Sequence, residues 1–238
     1  MKPVTVITKQ FFQEILSDAM LVAVLFAPIL MGLMFRFGIP ALEGYLCSLT
    51  NKTSLIAPYY FLLDELMCIA TPIMFAFTGV MVILSEADSG ITRAIAVTPV
   101  GKDGYLFSRI VLPAVASSVY GLFITILFRI SGMSLAIIAL LSLLSAPMGI
   151  AISMMVVSLA KNKVEGMALT KMSGLMIMGL PVAMFVPAPL QYLAGIFPSF
   201  WMTKMIITEN YLFLLPIVFV TAAWILFFWK RFHNKVLS

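Results

Sequence analysis

Long uncharged apolar runs dominate the chain, and short polar stretches separate them. The runs extend from Ala19 to Phe35, Leu66 to Ser85, Ile110 to Phe128, Ile130 to Ala160, Met172 to Thr203 and Asn210 to Trp229. A hydrocarbon core about 30 Å thick needs roughly 20 apolar residues of helix at about 1.5 Å rise per residue. The pattern therefore predicts an all-α membrane protein with six transmembrane helices at about 19–35, 62–85, 107–128, 134–160, 171–187 and 211–229, in a single domain over 1–238.

Ahead of the first run, Val4, Ile7, Phe11, Ile15 and Ala19 recur at helical spacing, with Lys9, Gln13, Glu14, Ser17 and Asp18 mostly on the other side. This predicts an interfacial amphipathic helix over 4–18, the alternative being a frayed extension of the first span. The first span lacks the short apolar core and cleavage site of a removed signal peptide, so it reads as retained. Gly38, Pro40, Gly44 and Pro58 make Arg36 to Tyr60 an outer loop with room for one short helix. Ser131 to Ser134 reads as a tight outer turn and Lys161 to Thr170 as a short inner loop. Pro181, Pro187, Pro189 and Pro198 interrupt the fifth run. One span should end near Pro187, leaving Leu190 to Trp201 either to re-enter the outer leaflet or to form a plain exterior loop. Gly166, Gly174 and Gly179, with Ser173, would let the fifth span approach a neighbour closely, as a dimerising protein requires.

Composition agrees with the pattern: 62% of residues are hydrophobic and 11% charged, with a mean hydropathy of +1.10, too apolar for a wetted globular surface. The net charge of +5 reflects topology rather than nucleic-acid binding. Lys2, Lys9, Arg93, Lys102, Arg109, Lys161, Lys163, Lys171, Lys230, Arg231 and Lys235 fall on one side of alternating spans, and only Arg36, Lys52, Arg129 and Lys204 on the other. By the positive-inside rule both termini face the cytoplasm.

Little here supports catalysis. The sole histidine, His233, lies beyond the last span, so no nucleophile has a histidine base within a membrane site. No His pair or carboxylate cluster has metal-ligand spacing. No Gly-x-x-x-x-Gly-Lys-Ser/Thr loop occurs, so the chain is not an ATPase by itself. Cys47 and Cys68, one in a loop and one in a span, suggest no chemistry. Asp64 and Glu65 stand before the second uncharged run, and two readings stay open for them. Either they sit at the interface, where a charge costs little, or they contact a cationic substrate, Arg36 or Arg129.

The informative stretch runs from Ser85 to Gly104. Ile91, Ala94 and Ile95 fall at i, i+3, i+4, Asp88 or Ser89 is placed to cap, and Pro99 ends the run. This predicts a short amphipathic helix between spans two and three, the kind of element through which a soluble motor can push a membrane domain. Glu86, Gly90, Thr98, Pro99 and Arg109 follow the order of a Glu, a Gly, a Thr-Pro and a basic residue entering the third span. In that order the chain resembles the permease subunits of type-2 ABC exporters, with Arg109 where many members carry Lys. In its length, Pro58-Tyr59 and Asp64 it is also similar to fluoroquinolone-exporter permeases.

The resemblance implies a coupling helix over Asp88 to Thr98, so that Glu86, Asp88, Gly90, Ile91, Arg93, Ala94, Ile95, Thr98 and Pro99 contact an ATPase. Lys161, Lys163 and Glu165 would form a second contact. It further implies two copies of a separate ATPase that binds ATP and Mg, and pairing with a second permease copy or a sister permease in the plasma (inner) membrane. A secondary transporter driven by ions or protons and a non-transporting membrane assembly factor are the competing readings; the first predicts deep ionisable groups.

Overall fold

A computed structural model describes residues 3–91 and 101–236. Helix α1 (Pro3–Ser17) is followed by α2 (Ala19–Leu33), a π-type turn (Met34–Gly38) and α3 (Ile39–Thr50). A 3-10 turn (Ala57–Tyr59) opens α4 (Tyr60–Asp88), and α5 (Gly101–Leu106) passes through a second π-type turn (Phe107–Val111) into α6 (Leu112–Phe128). Then come α7 (Leu135–Leu159), α8 (Lys163–Thr170), a 3-10 stretch (Lys171–Ile177) and α9 (Gly179–Phe185). A 3-10 segment (Leu190–Ile196), α10 (Pro198–Thr208), a turn (Tyr211–Phe213) and α11 (Leu214–Val236) complete the chain.

Among the described residues, six helical runs are long and apolar enough to cross a membrane: Ala19–Thr50, Ala57–Asp88, Gly104–Phe128, Leu135–Leu159, Lys163–Phe185 and Tyr211–Lys235. Helix α4 is the central one, packed against α2, α6, α7 and α8. Its buried Met81, Ile83 and Leu84 share a core with Ile138, Leu141, Ile152 and Val156 of α7. Phe26, Leu30, Phe123, Leu143, Phe219 and Phe227 are exposed around the outside, as expected of side chains that meet lipid rather than water.

Both ends of the described chain lie at one end of the bundle, the base. The Lys163 ammonium bonds Asp18 at the start of α2 at 3.3 Å, and the Lys235 ammonium donates to the Val157 carbonyl at 2.7 Å. The opposite end, the crown, carries Arg36, Asp64 and Arg129.

Two boundaries depart from the sequence reading, and a third agrees with it. The expected loop from Arg36 is helical to Thr50, because the π-type turn at Met34–Gly38 widens the ladder just before Pro40, so the ring meets no ordinary i−4 carbonyl. The same device precedes Pro113. The fifth run starts at Lys163 rather than Lys171, because the Asn162 side chain caps the Glu165 amide at 2.9 Å. Helix α1 is separate from the first span: Asp18 is extended and its carboxylate caps α2 through Met20 and Leu21. Phe11 and Ile15 of α1 are buried, as the apolar stripe predicts.

The proline-rich stretch folds back on the bundle. Helix α9 ends at Phe185, and α10 begins with Pro198 in its first turn, where a proline costs no hydrogen bond. Helix α10 packs against α9 and α11, and Ser199 Oγ donates to the Met176 carbonyl. Two of the fifth-run glycines are used inside the chain rather than held open for a partner. A Cβ on Gly166 would strike Leu84, and one on Gly179 would strike Ser199 and Phe200.

Candidate functional site

The base is organised around a buried ion pair. Arg109, in the π-type turn after α5, sends Nε and Nη2 to the two carboxylate oxygens of Glu86 on α4. Tyr105 Oη donates to Glu86 Oε2 at 2.8 Å. The guanidinium lies 5.2 Å from the Phe11 ring centroid and 5.6 Å from that of Tyr105, a cation–π setting that favours Arg over Lys. The side chains of Arg109 and Glu86 are 1% and 4% exposed. Arg109, the basic residue entering the third span, thus forms a fork-to-fork pair, roofed by α1, that fixes α4 against α5.

This pair sits at the neck of the 92–100 segment. Glu86 precedes the point where the chain leaves α4, and Tyr105 and Arg109 follow the point where it returns. Asp88 belongs to the last turn of α4, and its Oδ2 accepts from the Lys163 amide at 2.9 Å. Gly90 has φ +76, a left-handed conformation that suits glycine after a helix end. Ile91 resumes helix and is exposed. The expected contact residues Arg93, Ala94, Ile95, Thr98 and Pro99 lie outside the described residues.

The expected second contact gathers beside this neck. Glu165 Oε2 accepts from the Lys161 amide at 2.8 Å, which closes the first turn of α8 together with the Asn162 cap. Lys163 then joins three elements, through its amide to Asp88 and its ammonium to Asp18. Partial burial pushes the Asp18 carboxyl up, but Lys163 and the amides of Met20 and Leu21 outweigh it and hold the group below its ordinary value. A depressed carboxyl stabilises fully above the ordinary aspartate range and loses that contribution as pH falls through its lowered value. The pair is about one-third exposed, so screening keeps its worth below about 1 kcal/mol. Asp18→Ala should cost about 1 kcal/mol of stability, mostly through the lost cap. Thermal melts at neutral and acidic pH check this: the difference from wild type should shrink in acid.

At the crown, Asp64 and Glu65 stand in the second turn of α4, which starts at Tyr60, and both are fully buried. Asp64 accepts from the Ile130 amide at 3.1 Å, the Ser131 amide at 2.9 Å and the Ser131 hydroxyl. It thereby pins the turn between α6 and α7. Arg129 and Arg36 bond carbonyls, of Met133 at 3.1 Å and of Arg129 at 2.8 Å. Among the described residues neither arginine pairs with Asp64 or Glu65. Glu65 Oε1 accepts from the Thr203 hydroxyl of α10 at 2.8 Å, while its Oε2 is buried with no partner.

Sequence reasoning missed Tyr105, Phe11, Asp18, Ser131 and Thr203 as partners in these clusters. Asp18 carried a readable signal, as a polar residue before an apolar run. The others became visible only through contacts between distant segments.

Six apolar helical runs among the described residues, with both ends of the described chain at one end of the bundle, define a multi-pass membrane protein. Residues 11–230 match the family described as Fluoroquinolones export permease protein Rv2686c-like, and the chain belongs to that family of membrane permeases. Two curated relatives are the Fluoroquinolones export permease proteins MT2760 of Mycobacterium tuberculosis (strain CDC 1551 / Oshkosh) and Rv2686c of Mycobacterium tuberculosis (strain ATCC 25618 / H37Rv). Each is 23% identical over 198 residues, covering 79% of this chain and 75% of the relative. No solved structure matches the chain.

Proposed function

We propose that this chain is the membrane-spanning permease subunit of an ATP-driven ABC exporter, with both termini in the cytoplasm. It pairs with a second copy or a sister permease and with two copies of a separate ATPase that carries ATP and Mg. The observation that carries this reading is the clamped neck. Glu86 and the pair Tyr105 and Arg109, which flank 92–100 in sequence, are joined in one buried cluster, and Lys163 ties the end of α4 at Asp88 to α8 and α2.

A push on this segment would reach α4, and through it most of the bundle. Shifting an inward-open population from 99:1 to 1:99 takes about 5.5 kcal/mol of differential binding, which closure of an ATPase pair is suited to supply. The exported compounds are amphipathic or hydrophobic, and the names of the relatives make fluoroquinolones the first to test.

In sequence Ile91, Ala94 and Ile95 stand at i, i+3 and i+4, the spacing of one helical face. The chain should co-purify in mild detergent with an ATPase encoded beside it, and Ile95→Asp should reduce ATPase retention at least tenfold without lowering permease yield. If no ATPase is recovered even after cross-linking, the ABC reading fails.

A second reading, ion- or proton-coupled transport, draws on the buried, half-partnered carboxyl of Glu65, a group of the kind such carriers use. Transport that survives inactivation of the ATPase but collapses with a protonophore would favour it.

A further inference from the structure

Glu65 is the one buried side chain with an unpartnered polar oxygen among the described residues. Among the described residues it forms no ion pair: those present, Arg109 with Glu86 and Lys163 with Asp18, are both at the base. Asp64, next in sequence, turns toward Ile130 and Ser131. A carboxyl so placed is tolerated only with a proton or another cation on it.

A cavity of about 540 Å³ opens at the crown, lined by Phe61, Ser131, Ser134, Met205, Glu209 and Tyr211 among others. Helix α4 runs from crown to base, so Phe61 stands one turn nearer the crown than Glu65. On α10, Ile206 also lines the cavity, one turn beyond Thr203. The Glu65 and Thr203 pair therefore lies about one helical turn beneath the cavity, with Phe61 and Met205 lining it at the nearest level. Met205 is unbranched and adapts its shape readily.

Building on the exporter reading, we propose that Glu65, oriented by Thr203, is the anchor for a protonated amine on an amphipathic substrate held in the crown cavity. Aromatic and thioether side chains take the apolar body, and the free carboxylate oxygen takes the ammonium. The exchange balances: the neutral carboxyl releases its proton to water in the cavity as the ammonium arrives, so one positive charge replaces another and the buried site stays neutral. Asp64 has no part in binding, because its oxygens already hold the turn. Glu209 at the rim is exposed, so solvent screens its charge.

Binding to the purified full-length chain in nanodiscs tests this without requiring transport. The probes are a quinolone bearing a protonated piperazine and a matched quinolone lacking the amine. Glu65→Gln keeps an acceptor for Thr203 and should weaken the amine probe at least tenfold while moving the amine-free probe less than twofold. Glu65→Asp should retain part of the preference, and Glu209→Gln should leave the preference intact. Equal loss of both probes, no loss of either, loss with Glu209→Gln instead, or no binding by wild type would each overturn the proposal. The exporter reading is judged apart from this, by ATPase retention and stimulation, so either can fail alone.

Discussion

Arg109→Ala is expected to destabilise the purified permease by about 3–5 kcal/mol, the largest effect of any single substitution considered. Removing the guanidinium strands the Glu86 carboxylate in a site that is 4% exposed, with the Tyr105 hydroxyl its remaining side-chain donor among the described residues. It also removes the surface on which Phe11 of α1 rests. The intact pair need not contribute much net stability, since desolvating two charges offsets most of their attraction. The double substitution Glu86→Leu with Arg109→Met should therefore recover most of the loss. What it should not recover is geometry: an apolar pair does not set the register of α5 against α4, so under the proposed exporter function the double variant should fold and yet fail to couple to the proposed ATPase. Unfolding in mixed detergent micelles gives the stabilities, and drug-stimulated ATPase activity gives the coupling. Full activity in the double variant would show that the clamp has no role beyond folding.

Gly179→Ala should cost about 3 kcal/mol, at the upper end of overpacking effects. The new methyl would meet the backbone nitrogen of Phe200 and Ser199 Oγ, and backbone cannot turn aside as a flexible side chain can. Relief requires α9 and α10 to separate, which breaks the Ser199 bond to Met176 and shifts Thr203 on the same helix. Gly174→Ala is the matched control. No atom lies within 4 Å of the added methyl, so it should be neutral or stabilising by about 0.5 kcal/mol through a less flexible unfolded chain. Equal effects from the two substitutions would mean that α9 and α10 do not pack as described.

Sequence by itself determined the membrane class, the number of spans and the approximate place of each, because the need for about 20 apolar residues per crossing is met locally, residue by residue. Punctuation was equally local where a proline acts on its own helix, as at Pro198 at the start of α10; Asp18 carries the same kind of signal before α2 but was read as part of the polar face of the preceding helix. Local signals misled where the backbone absorbed them. Gly38 and Pro40 look like a loop, yet a π-type turn carries the helix through them to Thr50. Lys161 to Thr170 looks like a loop by its charges, yet Asn162 and Glu165 close a helical turn there.

The polar clusters belong to tertiary structure. Glu86 and Arg109 are 23 positions apart, and Glu65 and Thr203 are 138 apart. Single-sequence spacing carries no record of which distant helices touch. Glu86 read as a contact for a partner and Arg109 as a basic residue entering the third span, because a charge beside an apolar run is cheapest in water. Only the packing of α1 over α4 and α5 withdrew that water and turned two independent charges into one buried frame. Glu65 differs from Asp64 for the same reason: the turn after α6 supplies donors to one carboxylate, and α10 supplies a single hydroxyl to the other.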